Sequence, residues 1–70
     1  MDIDGQLRFL TYRMLDDSPI VKARMVREVR GGSPYTRYWV EMITADEIHH
    51  TTLHYRRVET AVADAVWMTG

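Results

Sequence analysis

Residues 20–44 read Ile-Val-Lys-Ala-Arg-Met-Val-Arg-Glu-Val-Arg, then Gly-Gly-Ser-Pro, then Tyr-Thr-Arg-Tyr-Trp-Val-Glu-Met-Ile-Thr. Two runs rich in β-branched and aromatic residues flank a turn. Gly31 and Gly32 reach positive φ without a Cβ clash, and Pro34 fixes φ and cannot join a central ladder. The stretch therefore predicts a β-hairpin. Side chains alternate along a strand, which puts Val21, Ala23, Met25 and Val29 on one face, interrupted by Arg27. Lys22, Arg24, Glu28 and Arg30 take the other face. On the second strand Tyr38, Val40 and Met42 form the apolar set, while Arg37, Trp39 and Glu41 point the opposite way. A half-buried antiparallel sheet accounts for both strands.

Working outward, residues 16–19 (Asp-Asp-Ser-Pro) predict a turn, because Asp and Ser bond local backbone and Pro19 disfavours helix at Ser18. Before it, residues 1–6 read as an exposed lead-in. Residues 7–15 (Leu-Arg-Phe-Leu-Thr-Tyr-Arg-Met-Leu) carry apolar side chains on both faces. Leu7, Leu10 and Met14 also fit helical spacing, but Phe9, Thr11 and Tyr12 favour a strand. After the hairpin, Thr44 and Glu47 have capping-box spacing, which would start a helix. Residues 49–55 (His-His-Thr-Thr-Leu-His-Tyr) are poor helix material, so 45–47 is read as a tight turn and 48–56 as a fourth strand.

In the last segment Val58, Ala61, Val62, Ala65 and Val66 form one helical stripe, with Glu59, Thr60, Ala63 and Asp64 opposite. Acids sit early in this helix and Gly70 is placed to end it. Trp67, the largest side chain there, is expected to clamp the helix end onto the sheet. The expected fold is α+β: a small antiparallel sheet in the order β-β-β-β-α, one C-terminal helix on one face, and the other face solvated or bound.

The 70 residues make one small domain (1–70) with a thin stability margin, since so short a chain buries only ~60% of its unfolded surface. No cysteine is present, which removes disulfides and Cys-type zinc sites and is compatible with the cytosol. A hydrophobic content of 46% with 27% charged residues is that of a globular protein. The formal net charge of −1 excludes both a strongly basic nucleic-acid protein and an acidic mimic of nucleic acid. Acidic residues follow Met1 where a signal peptide needs positive charge, and no apolar run approaches a membrane span. The expectation is a complete, soluble, cytoplasmic gene product.

Catalytic material is thin. Ser18 and Ser33 each precede a proline and neither lies in a nucleophile elbow. Asp16–Asp17 and Asp46–Glu47 fall in predicted turns, where nothing tunes a carboxyl for acid–base work. Gly31-Gly32 lacks the Lys-Ser/Thr of a phosphate loop. His49, His50 and His54 are the one cluster of metal-ligating type. On a strand His50 and His54 lie ~13 Å apart, too far to share an ion. The sequence thus predicts no enzyme, no metal and no cofactor.

What remains is binding. Trp, Tyr and Arg dominate interface hot spots, so Trp39, Arg37, Tyr35 and Arg24 are the candidate contacts with a larger protein or complex, with Ile43 also on the outward side. The expected role is a small inhibitor or blocking protein, of the size common in phages and mobile elements. The rival class is a sheet-face nucleic-acid binder using Lys22, Arg24, Arg30 and Arg37. Between residues 20 and 40, five basic residues against one acid give +4 locally. Homodimerisation through the uncovered face is compatible with either reading.

Overall fold

A computed structural model describes residues 2–29, 31, 36–51 and 55–70. The element order is α1 (Ile3–Leu10), β1 (Met14–Leu15), β2 (Ser18–Val29), β3 (Thr36–Thr44), β4 (Ile48–His50) and α2 (Val58–Met68). The four strands form one antiparallel sheet in sequential order. The α+β class and the C-terminal helix are as the sequence predicts.

The N-terminal segment is a helix, which corrects both the lead-in and the first strand expected there. Asp2 caps it, its carboxylate accepting from the Gly5 N–H at 2.7 Å. Ile3, Leu7 and Leu10 then recur at helical spacing and pack into the core, with Leu10 fully buried. The helix stops where Thr11 turns its hydroxyl back onto the Arg8 carbonyl at 2.6 Å. Only Met14–Leu15 of the expected strand is extended, and it pairs with Ser18 and Pro19 across a tight turn. Asp16 and Asp17 sit there at φ 48° and 65°, the left-handed region that Asp tolerates better than most residues.

The main hairpin runs from Ile20 opposite Thr44 to Val29 opposite Thr36, with a register shift between Ile20 and Lys22. That bulge moves Val21 off the apolar face, where alternation alone had placed it. Val21 and Val29 are each 63% exposed. The hairpin tip predicted at 31–34 lies outside the described residues except Gly31, which is in a turn.

At Thr44 the capping-box residues serve the tight turn. The Thr44 hydroxyl accepts from the Glu47 N–H (3.3 Å) and donates to its carbonyl (3.1 Å), while the Thr44 N–H bonds the same carbonyl (3.0 Å). The fourth strand follows at Ile48–His50. Thr51 continues it by donating its N–H to the Val40 carbonyl, and Tyr55 bridges to Tyr38.

α2 buries Ala61, Val62 and Ala65 as its stripe predicts. Trp67 does not clamp the sheet: it is 82% exposed. At 100° per residue, position 67 shares the outward arc with Thr60 and Ala63, both exposed. The helix end is held instead by Arg13, whose Nε donates to the Thr69 hydroxyl (3.2 Å) and whose Nη2 donates to the Thr69 carbonyl (3.4 Å).

One core unites Leu10, Leu15, Ile20, Val40, Met42, Ala61, Val62 and Ala65. α1 packs on β2, α2 on β3, and the helices touch each other, so both lie on the same side of the sheet. The shortest dimension, 16 Å across the Cα atoms, leaves room for these two layers and no third.

Candidate functional site: the uncovered sheet face

The register assigns side chains to rungs. Ala23–Met42, Met25–Val40 and Arg27–Tyr38 belong to the helix side. The intervening rungs therefore face away from both helices. From the hairpin tip inward these are Glu28–Arg37, Val26–Trp39, Arg24–Glu41–His50 and Lys22–Ile43–Ile48. Polar and apolar rungs alternate. Val26, Trp39 and Ile43 are half-buried by their neighbours on the open face, and Ile48 is 62% exposed.

Of the residues singled out from sequence, Lys22, Arg24, Arg37 and Trp39 come together here. Tyr35 and Arg30 lie outside the described residues. Arg27 goes to the other side of the sheet, opposite Tyr38. The charges that remain are largely matched. Arg24 Nε meets Glu41 Oε1 at 2.8 Å, and this hydrogen bond, with the Glu41 charge behind it, raises the Arg24 pKa further above its ordinary value. Glu28 stands directly across from Arg37. Sequence reading missed Val26 and Ile48 as members of this face; period-2 alternation reveals them only once Trp39 and Ile43 are assigned their cross-strand neighbours.

The histidines separate. His50 faces outward beside Glu41, with Nδ1 2.8 Å from the Thr51 carbonyl, and His54 lies outside the described residues. His49 turns to the helix side, opposite Met42, with Nε2 3.5 Å from Glu47 Oε1. There Asp16, Glu47 and His49 bring one ligand-type atom each to within 4.8 Å of one another. This corner exists because the Asp16–Asp17 turn meets the Ala45–Glu47 turn, joined by the Ser18 hydroxyl donating to Asp46 Oδ2 at 2.9 Å. That bond gives Ser18 and Asp46 structural work. No signal local to either turn announces the meeting.

Among the described residues no helix is long and apolar enough to cross a membrane. No family model, curated protein or solved structure matches the chain.

Proposed function

We propose that this is a small non-enzymatic protein-binding module that docks on a larger protein or complex through the uncovered sheet face and acts by occupying its partner's surface. One observation carries the reading: Val26–Trp39 and Ile43–Ile48 form two apolar rungs on the face opposite both helices, flanking an internally neutralised Arg24–Glu41 pair. A rigid aromatic flanked by satisfied charges suits a desolvated protein contact, where Trp39 is the anchor and Arg24 and Arg37 belong to the polar surround. Tyr35, next to β3 in sequence, is a further candidate contact by residue type alone. Steric blocking in the cytoplasm, as an inhibitor of phage or mobile-element type, is the mode of action such a module would use.

The test compares Trp39→Ala with Arg24→Glu after both are shown to fold. Partners are captured from native lysate with and without nuclease, and affinity is then measured against salt. Trp39→Ala should weaken binding by ~2 kcal/mol or more, mostly through faster dissociation, with little salt dependence. Binding of generic oligonucleotides that falls steeply with salt, is abolished by Arg24→Glu and is spared by Trp39→Ala would establish nucleic-acid binding instead.

A further inference from the structure

We infer that the free edge of β2 pairs with the same edge of a second copy, giving an antiparallel dimer centred on Met25. This is the outer edge of the strand rather than its open face, and Lys22, Arg24 and Glu28 border both. β2 has 12 residues, yet β1 covers only Ser18 and Pro19 on its outer side, and the Ile20 N–H bonds the Arg13 carbonyl at 3.0 Å. Beyond Ile20 the described residues pair with β2 only from the β3 side. An open groove runs there between α1 and β2, walled by Leu7, Arg8 and Thr11 and by residues 21–25. Successive strand side chains point to opposite faces. Five consecutive residues can line one groove only if it opens onto the strand's edge, where the unpaired N–H and C=O groups lie. Edges of this kind accept another strand.

The charges on the edge choose the occupant and the register. When two copies pair antiparallel with their helices on the same face, the partners across the seam must have the same parity. Centring the pair on Ala23 sets Lys22 against Arg24 of the other copy. Centring on Arg24 or Arg27 sets like against like. Centring on Val26 sets Arg24 against Glu28, but Arg24 is already engaged by Glu41 at 2.8 Å. Centring on Met25 opposes no like charges: Lys22 meets Glu28 twice, Ala23 meets Arg27, Arg24 meets Val26, and Met25 meets itself. Lys22, Arg24 and Arg27 thus guard the edge against arbitrary strands while admitting this one. The interface is isologous and extends the sheet as β3-β2-β2-β3.

Sedimentation equilibrium over a wide concentration range tests this. Wild type should dimerise. Lys22→Glu and Glu28→Lys should each weaken the dimer by about tenfold or more, because each places like charges opposite one another at two rungs. Mixed in equal amounts, the two variants should recover a heterodimer, since both rungs then regain opposite charges. Their melting curves, taken alone, check that each variant folds. Separately, Met25→Cys in this cysteine-free chain should cross-link to itself under mild oxidation and Val29→Cys should not. A wild type that stays monomeric overturns the inference. So does a dimer that ignores the charge variants and their mixing, or one lost on Trp39→Ala instead.

Discussion

Leu10→Ala and Trp67→Ala should have opposite consequences from those their sizes suggest. Leu10 is fully buried, and alanine is at least as good a helix former as leucine, so the substitution reports packing alone. Loss of its transfer energy together with the cavity left behind costs ~2–5 kcal/mol. A chain of this length has roughly 3.5–10 kcal/mol in total, taking ~0.05–0.15 per residue. Leu10→Ala should therefore remove a large fraction of the stability and lower the melting temperature by about 15–35 °C. Trp67 is 82% exposed, so about a fifth of its surface is at stake. At ~25 cal/mol per Å² and up to ~250 Å² for a whole Trp, that is about 1 kcal/mol. The better helix propensity of alanine returns ~0.5 kcal/mol of it. Far-UV circular dichroism through thermal and urea unfolding measures both. If Trp67→Ala proved the more damaging, the orientation of α2 and the docking of α1 described above would both be wrong.

Two further outcomes follow from local geometry. Thr44→Val keeps the shape of a nearly buried side chain but removes both hydroxyl bonds to Glu47; it should lower the urea midpoint by the equivalent of about 1 kcal/mol with an unchanged slope, and an unmoved midpoint would mean the hydroxyl does not hold the turn. Desolvation, then the Asp64 charge and a hydrogen bond to Asp64, raise the Tyr55 pKa above its ordinary 10.0. The folded state therefore favours the neutral phenol: this contribution is intact below pH 10 and is lost as pH rises through the raised value. Alkaline unfolding of Tyr55→Phe should be less steep above pH 10 than that of wild type, and equal slopes would remove Tyr55 as the cause.

The elements legible from sequence are those whose pattern is local and unopposed. The Ile20–Thr44 hairpin and the Ala61–Val62–Ala65 stripe each have one dominant period. At residues 7–15 two signals competed. Phe9, Thr11 and Tyr12 have strand propensity, but Ile3, Leu7 and Leu10 need a helix to reach one core, and tertiary burial outweighs propensity. The same competition at Thr44 and Glu47 resolved the other way, because the pair satisfies a turn as readily as a helix start. Trp67 is exposed because its angle on the helix, not its size, decides which side it faces. For the candidate face, alternation alone grouped Trp39 with Arg24 and Arg37. Pairing Arg24 with Glu41, and bringing Asp16, Glu47 and His49 to one corner, required the register and the meeting of two turns, which no periodicity encodes.

The length of the hairpin bears on function independently of any single residue. The long axis of the molecule is 40 Å, which matches 12 strand residues at ~3.3 Å each. The fully buried core ends at the Met25–Val40 rung; from Val26 to Val29 and from Thr36 to Trp39 no described residue is buried. Ordering each of those residues costs ~1–2 kcal/mol of backbone entropy, and the core offsets little of it there. A chain whose stability margin is thin would lose nothing in its core by ending the hairpin two rungs earlier. The projecting part nevertheless holds Trp39 and Val26 on its open face and Val29 and Glu28 at its free edge. Deleting the outer two pairs, Glu28–Arg37 and Val29–Thr36, leaves Tyr38 packed on the core and bridged to Tyr55, and should thus leave the unfolding midpoint almost unchanged while abolishing self-association, which loses Glu28 opposite Lys22. A large drop in the midpoint on that deletion would show that the overhang stabilises the fold and has no need of a partner to explain it.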